Sequence, residues 1–288
     1  MIVGRIQQIW RYPVKSMAGE RLERSAIDRG GLPGDRSWAT RDEKRGGIRG
    51  AKKIPDLMRC GARFPDAPTR ERPGVPEIAL PDGSRLRADA SDAAARVSAA
   101  VGAEVTLWPL LPVEQLDHYR RGAPDHADME TELRAMFGRT PDEPLPNFAA
   151  FPPELFQFES PLGTYFDAFP LLVLTTASLA RLSRAAPGSR IDVRRFRPNL
   201  LIETEPHLDG YVESGWEGRK LRVGDLELEC TIACPRCVMI THGFADLPKD
   251  PAIMRAVVRD ANQSIGIYAR PLNAASIALG DPMELVGV

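Results

Sequence analysis

Short segments in which apolar and polar residues alternate recur along this chain, and they constrain its fold more than any other feature. Residues 2–12 follow this pattern, and residues 221–233 contain two such segments joined by Gly224-Asp225, which is typical of a hairpin. Patterns typical of helices are fewer and lie at 89–101, 177–186 and 251–259. Short strands with two or three helices between them predict a mixed α/β fold, predominantly β, that is built on a β-barrel.

The composition of the chain shifts once, after residue 111. A chain of 288 residues is long enough for one large domain or two modest ones. The segment 112–166 is rich in prolines and aromatic residues and shows little periodicity, which is typical of a linker or an irregular insertion. We therefore expect a first domain at 1–111, a linker or insertion at 112–160 and a second domain at 161–288.

Charge is balanced along the chain, with 38 Lys and Arg against 39 Asp and Glu. A net charge of −1 gives no general attraction to nucleic acid or to a membrane surface, so any anion site must be local. No uninterrupted apolar run is long enough to span a bilayer, and the first residues lack the layout of a secretory signal. We expect a cytoplasmic protein with neither nucleic-acid nor membrane partners.

The segment Cys234-Pro235-Arg236-Cys237 is the sharpest chemical feature. Together with Cys230 it places three cysteines within eight residues, which is a poor layout for a disulfide framework and indicates a metal, redox or catalytic use. A thiolate is a soft metal ligand, and the neighbouring Arg236 favours the thiolate form.

Five interpretations of these cysteines compete. A structural zinc site needs four ligands, and only Cys230 and His242 lie nearby. A thioredoxin-like dithiol fits poorly, because the residues after Cys237 favour a strand or loop rather than a helix. An iron–sulfur cluster on the C-x3-C-x2-C spacing is disfavoured, because Cys230 continues a strand alternation and packs as a small hydrophobe. A single thiolate ligand to a metal cofactor remains, as does the plain alternative of buried thiols, which residue type alone favours.

Two further motifs place polar groups at the ends of predicted strands. Tyr12-Pro13-Val14-Lys15-Ser16 brings together a cation and a hydroxyl without the glycine-rich cradle of a P-loop. Phe196-Arg197-Pro198-Asn199 offers a planar donor fork that suits a phosphate or a pterin edge, beside an amide that donates and accepts. A surface lysine and a salt-bridged turn are the plain alternatives.

In their order and spacing these motifs resemble the MOSC family, named for the C-terminal domain of molybdenum cofactor sulfurases. The branch they resemble is that of the mitochondrial amidoxime reducing component and its bacterial relatives. The resemblance covers nearly the whole chain and implies a MOSC N-terminal β-barrel domain followed by a MOSC domain. Further matching segments are Gly34–Trp38, Leu174–Leu179, Val223–Asp225 and Gly280–Pro282.

The resemblance implies that the chain binds the molybdenum cofactor, molybdenum held by molybdopterin. Cys237 matches the thiolate that ligates molybdenum and is the implied catalytic residue. Eight further positions match residues that hold the pterin and its phosphate or surround the cofactor: Lys15, Ser16, Arg36, Asp167, Arg197, Asn199, Arg236 and Tyr268. A phosphorylated pterin dithiolene is anionic, so the lysine and the arginines would act as charge-assisted donors.

The implied reaction is a two-electron reduction of an N-hydroxylated small molecule. Electrons would come from a separate donor protein of the ferredoxin or flavin reductase type, because the chain shows no nucleotide-binding fingerprint. Asp167 and His242 are hypotheses for a general acid, although each also suits a structural role. Lys52 stands where the family often has arginine, and the altered segment Thr241–Phe244 after Cys237 bears on the substrate pocket. A cofactor carrier or sulfur-transfer protein without turnover is the alternative.

Overall fold

The computed structural model describes residues 1–287 as a mixed α/β fold in which strands predominate. The strands are β1 (Ile2–Arg11), β2 (Glu20–Leu22), β3 (Arg24–Ile27), β4 (Trp38–Asp42), β5 (Gly61–Arg63), β6 (Glu77–Ala79), β7 (Arg85–Arg87), β8 (Val105–Pro109), β9 (Leu171–Thr175), β10 (Leu200–Thr204), β11 (Lys220–Val223), β12 (Leu226–Pro235), β13 (Ser264–Pro271), β14 (Ala275–Ala278) and β15 (Pro282–Val286). The helices are α1 (Ala93–Val101), α2 (Leu116–Tyr119), α3 (Met129–Phe137), α4 (Thr176–Ala185), α5 (Val193–Phe196) and α6 (Ala252–Asp260). Short 3-10 helices lie at Pro55–Arg59, Phe148–Ala150, Pro153–Phe156, Val212–Trp216 and Val238–Thr241.

Seven strands close into a barrel, which confirms the predicted fold class. They run in the order β10-β9-β13-β12-β11-β15-β1, and β1 pairs back onto β10. β2 extends the sheet beyond β1. The smaller sheets pair β4 with β8, β3 with β14, and β6 with both β5 and β7.

The first strand lies in the barrel of later strands rather than with β4–β8. β1 pairs antiparallel with β10 and β15, and its Val3, Ile6 and Ile9 are buried in the barrel core. Gly4 permits the close approach, because a Cβ there would lie 2.1 Å from Glu203 O. The two predicted domains therefore share a barrel, and their boundaries at 111 and 161 stay a prediction.

Two layers of apolar side chains cover the inside and one outer face of the barrel. Leu171 and Val173 of β9 point into the barrel core, while Leu174 packs against the helices α4 and α6 outside. α4 joins β9 to the parallel strand β10. Its N-cap is Thr175, whose hydroxyl accepts a hydrogen bond from Ser178 N at 3.1 Å.

The segment predicted to be irregular contains a helix that its sequence pattern did not indicate. α3 begins after the N-cap Asp128, which accepts from Thr131 N at 2.7 Å, and ends at Gly138 in the left-handed conformation. Glu132 is its one fully buried side chain, so α3 has no continuous apolar face to reveal it.

Within residues 1–287, no helix is both long and apolar enough to cross a bilayer. The cytoplasmic location stays a prediction.

Candidate active site

A cleft at one end of the barrel brings together residues that are far apart in the sequence. Seven of the nine predicted site residues line it: Arg36, Asp167, Arg197, Asn199, Arg236, Cys237 and Tyr268. Its remaining walls are formed by Phe169, Leu172, Arg195, Phe196, Met239 and Ile240. These residues together define the cleft.

Cys237 reaches the cleft because the chain leaves β12 at Pro235. The residue is extended and begins the 3-10 helix Val238–Thr241, and its side chain is half-buried. Cys230 instead lies in the barrel core, as its strand alternation predicts. The three cysteines therefore do not share one site, which is a further argument against the iron–sulfur interpretation. Among the described residues, no group of three or more His, Cys, Asp or Glu side chains is arranged to hold a metal ion.

Arg197 lines the cleft, and one nitrogen of its guanidinium group makes no hydrogen bond within residues 1–287. Its backbone is left-handed at φ 55, a costly conformation for a residue with a side chain. The guanidinium stacks 4.2 Å above the Tyr12 ring, and Nη1 donates to Met17 O at 2.6 Å. Burial lowers the pKa of Arg197 to about 10. Nη2 is buried and has no hydrogen-bond partner among residues 1–287.

Arg236 shows the same pattern. Its Nε donates to Ile265 O at 2.8 Å and its Nη1 to Phe196 O at 2.9 Å, which fixes the guanidinium plane. Its Nη2 is buried without a partner in the described part of the chain. An unsatisfied buried donor on a charged group costs about 1–3 kcal/mol or more, so two in one cleft call for a physical explanation. A ligand that presents acceptors to both nitrogens would supply it.

Arg36 is held in place by a buried carboxylate that the sequence analysis did not single out. Asp35 pairs with Arg36 and also accepts from Tyr12 N at 2.7 Å and from Asn199 Nδ2 at 3.0 Å. Asn199 Oδ1 accepts from Leu172 N at 3.1 Å. The Asn199 amide is therefore engaged by the protein itself, and its contribution to the cleft is to orient Asp35 and Arg36.

Lys15 and Ser16 lie beside the cleft rather than in its wall. Lys15 Nζ is buried, donates to Tyr165 O at 2.8 Å and lies 3.3 Å from Asp167 Oδ1. Ser16 has a left-handed backbone at φ 71, and its Oγ accepts from Ala51 N at 2.8 Å. The two residues thus connect the segment after β1 to Asp167 and to the loop before Lys52.

Asp167 is shared by two lysines at the rim of the cleft. Lys52 Nζ also lies 3.3 Å from Asp167 Oδ1, and the carboxylate side chain is 42% exposed. Desolvation raises the pKa of Asp167, but Lys15, Lys52 and Arg36 outweigh it and hold that pKa well below its usual range. Burial lowers the pKa of Lys52, yet the charges of Asp167 and of a Cys237 thiolate leave it raised. Lys52 is therefore part of the site.

The remaining two predicted residues have different surroundings. The Tyr268 ring packs 5.3 Å from that of Phe169, and burial, followed by neighbouring Cys234 and Asp167, raises its pKa well above the usual value. His242, which the sequence suggested as a general acid, is buried and does not line the cleft. Its Nε2 donates to Ala51 O at 3.0 Å. Burial lowers the pKa of His242, so it is a neutral residue that ties the chain after Cys237 to the Ala51 loop.

Sequence reasoning missed a buried arginine contributed by the insertion. Arg139 follows α3 and donates from Nη2 to Arg236 O at 3.2 Å. Burial lowers the pKa of Arg139 to about 10, although the nearby charge of a Cys237 thiolate acts to raise it. Nothing in the sequence pattern marks this residue, because its contact with the site is a hydrogen bond to the backbone of Arg236, 97 positions away.

Comparisons with known proteins identify two regions of the chain. The family model described as the MOSC N-terminal beta barrel domain matches residues 3–108, and the MOSC domain model matches residues 162–284. Mitochondrial amidoxime reducing component 2 from Bos taurus is 24% identical over 98% of this chain and 83% of its own length, and the protein of that name from Homo sapiens is 27% identical over the same shares.

Two further similarities are more limited. Mitochondrial amidoxime-reducing component 1 from Homo sapiens is 31% identical over 43% of this chain and 39% of its own length. Among solved structures, the YuaD protein from Bacillus subtilis superposes with a TM-score of 0.44 at 12% identity, covering 98% of this chain and 94% of that one.

Proposed function

The chain belongs to the MOSC domain family, and from that premise we propose that its cleft binds the molybdenum cofactor through Cys237 and serves an oxidoreductase reaction. The family is associated with binding of this cofactor, and the relatives named above are amidoxime reducing components. The proposed substrate class is therefore an N-hydroxylated small molecule, of which an amidoxime is one kind.

The proposal rests on the buried Nη2 atoms of Arg197 and Arg236, neither of which has a hydrogen-bond partner in the described part of the chain. A pterin bearing a phosphate and a dithiolene is anionic and rich in acceptors. Buried guanidinium groups bind such ligands by charge-assisted hydrogen bonds, with a geometry that lysine does not reproduce. The donor set of the cleft thus fits the cofactor, and the half-buried Cys237 adds the soft ligand that molybdenum needs.

Some residues of the cleft would bind the cofactor, and others orient these residues or favour their charged form. Arg197, Arg236 and Arg36 would bind its anionic groups, while Asp35 and Asn199 orient Arg36. The aromatic face of Tyr12 lies under two of these guanidinium groups and favours their charged form, which offsets part of the effect of burial. When bound, the molybdenum supplies the two-electron redox chemistry.

Proton management falls to the lysines rather than to the two acids proposed from the sequence. Asp167 is held as a carboxylate by its low pKa, so it is a poor proton donor at neutral pH. His242 is committed to the Ala51 carbonyl. Lys52 Nζ at the rim and the buried Lys15 Nζ each lie 3.3 Å from Asp167 Oδ1, and the pKa of Lys52 is raised, mainly by Asp167, whereas burial lowers the pKa of Lys15.

The proposed reaction breaks an N–O bond. A substrate R–NH–OH takes up two electrons and two protons, and it leaves as R–NH₂ and water. The electrons would come from a separate donor protein of the ferredoxin or flavin reductase type.

The test is reduction of an amidoxime by the full chain, purified from a host that makes molybdenum cofactor, with a reduced viologen dye as electron donor. We expect amidine formation by the parent protein and by Cys234→Ala, whose altered thiol is buried in the same segment, and its loss in Cys237→Ala. A parent protein that carries molybdenum but forms no amidine would contradict the reductase proposal and favour a cofactor carrier or sulfur-transfer protein.

A further inference from the structure

The end of α3 packs directly against the backbone that carries Cys237. Gly138 ends this helix at φ 61, and a side chain there would begin about 3.4 Å from Val238 Cα. The next residue, Arg139, is 6% exposed although it belongs to the insertion between the two family domains. The insertion thus reaches the residues on both sides of Cys237.

Arg139 takes part in a closed ring of hydrogen bonds around the residue before Cys237. Its Nη2 donates to Arg236 O at 3.2 Å, and its Nε donates to Gln263 Oε1 at 3.2 Å. Arg236 N in turn donates to Gln263 O at 2.9 Å. Both backbone polar groups of Arg236 are therefore fixed by residues from outside β12.

The rest of the Arg139 guanidinium is engaged by the chain as well. Nη1 donates to Phe137 O at 2.5 Å and contacts the sulfur of Met254. Arg139 is not among the residues that line the cleft. Any effect it has on a ligand must pass through Arg236 and Cys237, because its own donors face protein atoms.

We propose that Arg139 is a positioning residue that fixes the backbone before Cys237, so that the thiolate and the Arg236 side chain face the cleft in one orientation. The inference rests on the proposed function in that it assigns the thiolate to molybdenum. It adds that the insertion, which lies outside both matched family domains, controls the geometry of that ligand. Partners that orient a metal ligand without touching the metal tune both its affinity and its electronic properties.

Three variants of the full chain test this. Arg139→Met keeps much of the side-chain length and removes every donor, and Arg139→Lys keeps the charge with fewer donor directions. Arg120→Met is the matched control, because it removes an exposed arginine of the same insertion that pairs with Asp117. Two properties are measured: amide hydrogen exchange in the peptide covering 236–242, and the Mo(V) electron paramagnetic resonance spectrum of the loaded protein.

We expect Arg139→Met to raise the exchange rate of the 236–242 peptide about tenfold, the size of effect that loss of a charged hydrogen bond produces. We also expect a shifted and broadened Mo(V) spectrum, because the spectrum reports the orientation of the thiolate ligand. Arg139→Lys should restore part of both properties, and Arg120→Met should match the parent.

A purely structural role would lower the unfolding temperature of Arg139→Met while exchange in 236–242 and the Mo(V) spectrum match those of Arg120→Met. That result would overturn the inference. If the parent carries no molybdenum but exchange in 236–242 still rises selectively, positioning of the Cys237 backbone is supported and the proposed function fails. The two failures are thus distinguishable.

Discussion

Arg197 and Arg236 line the same cleft, and each has one buried Nη2 with no hydrogen-bond partner among residues 1–287, although one follows a short helix and the other a barrel strand. Arg197 Nη1 and the Nε and Nη1 of Arg236 donate to backbone carbonyls of the protein, which fixes the orientation of both guanidinium groups. The protein itself therefore holds both charged donors in a fixed arrangement. This fixed arrangement of donors is the feature of the fold that favours binding of the proposed cofactor.

Replacing Arg197 with methionine should weaken cofactor retention far more than it weakens the fold. The variant loses one hydrogen bond to Met17 O but also removes a buried unsatisfied donor, so we expect little change in the unfolding temperature of the cofactor-free chain. Loss of a charge-assisted bond should reduce cofactor affinity about tenfold or more, measured as molybdenum retained after dialysis. Arg190→Met, at an exposed arginine, is the control. Equal losses of molybdenum in both variants would contradict the assignment.

Gly266 leaves room for the buried Nη2 of Arg236, and its replacement by alanine should test this role. Its φ is +82, and a Cβ would lie 3.2 Å from Arg236 Nη2 and 3.0 Å from Leu172 Cδ1. Gly280 has a φ of +85, and no described atom beyond its chain neighbours lies within 4 Å of a Cβ built there. Gly280→Ala therefore imposes similar backbone strain without crowding. We expect Gly280→Ala to lose about 1–2 kcal/mol of stability from backbone strain, and Gly266→Ala to lose more, because its Cβ would also lie 3.0 Å from Val173 O. Only Gly266→Ala should also lose molybdenum, and the same content in both would refute the role.

The Tyr12 ring should contribute more to stability and to cofactor retention than its hydroxyl does. Arg36 and Arg197 lie 4.7 and 4.2 Å from the ring centroid, and the hydroxyl donates to Pro198 O at 3.1 Å. Tyr12→Phe keeps both cation–π contacts and should cost about 1 kcal/mol from the lost hydrogen bond. Tyr12→Leu should cost more stability and also more cofactor, as measured by unfolding and by molybdenum content. If the two variants retain cofactor equally, the ring does not support the arginines.

Glu213 provides a pH-dependent test of the packing behind the cleft. This buried carboxylate accepts from Thr175 Oγ1 and Ser178 Oγ at 2.6 Å and from Gly266 N at 3.1 Å. Burial raises the pKa of Glu213 above its ordinary value of 4.5, despite these donors. At a pH between the ordinary pKa and the raised pKa of the folded chain, Glu213 keeps a proton in the folded chain that it releases in the unfolded chain. This carboxyl therefore stabilises the fold more as the pH falls.

We therefore expect the parent to gain stability relative to Glu213→Gln as the pH falls from neutral toward 4.5, and to lose that advantage as the pH rises through the raised pKa. Denaturant unfolding of both proteins at several pH values measures the difference. Glu217→Gln, at an exposed carboxylate of the same segment, is the matched control. A difference that runs in the opposite direction with pH would show that the hydrogen bonds outweigh burial.

Local patterns predicted much of the fold. The alternation in β12, the turn at Gly224-Asp225 and the threonine cap of α4 follow directly from residue type and spacing. The placement of β1 in the barrel did not, because closure of a barrel depends on pairing between strands about 200 residues apart. α3 was missed because it buries only Glu132 and lacks the apolar stripe that marks a helix.

The candidate site was predictable where a residue carries its own chemistry and not where it acts through a neighbour. Cys237, Arg197 and Arg236 stand out by type and motif, and the structure brings them to one cleft. Asp35 and Arg139 were missed, because their importance lies in distant partners: the Asn199 amide for one and the Arg236 carbonyl for the other. Ser16 and His242 were singled out from the sequence, yet they bond to the Ala51 backbone instead of lining the cleft.

The most direct test of the central claim is the molybdenum and pterin content of the full chain purified from a host that makes molybdenum cofactor, compared between the parent, Cys237→Ala and Cys234→Ala. We predict near-stoichiometric molybdenum and pterin in the parent and in Cys234→Ala, and loss of molybdenum in Cys237→Ala. Absence of molybdenum from all three proteins, or equal molybdenum in all three, would contradict the assignment of Cys237 as its ligand.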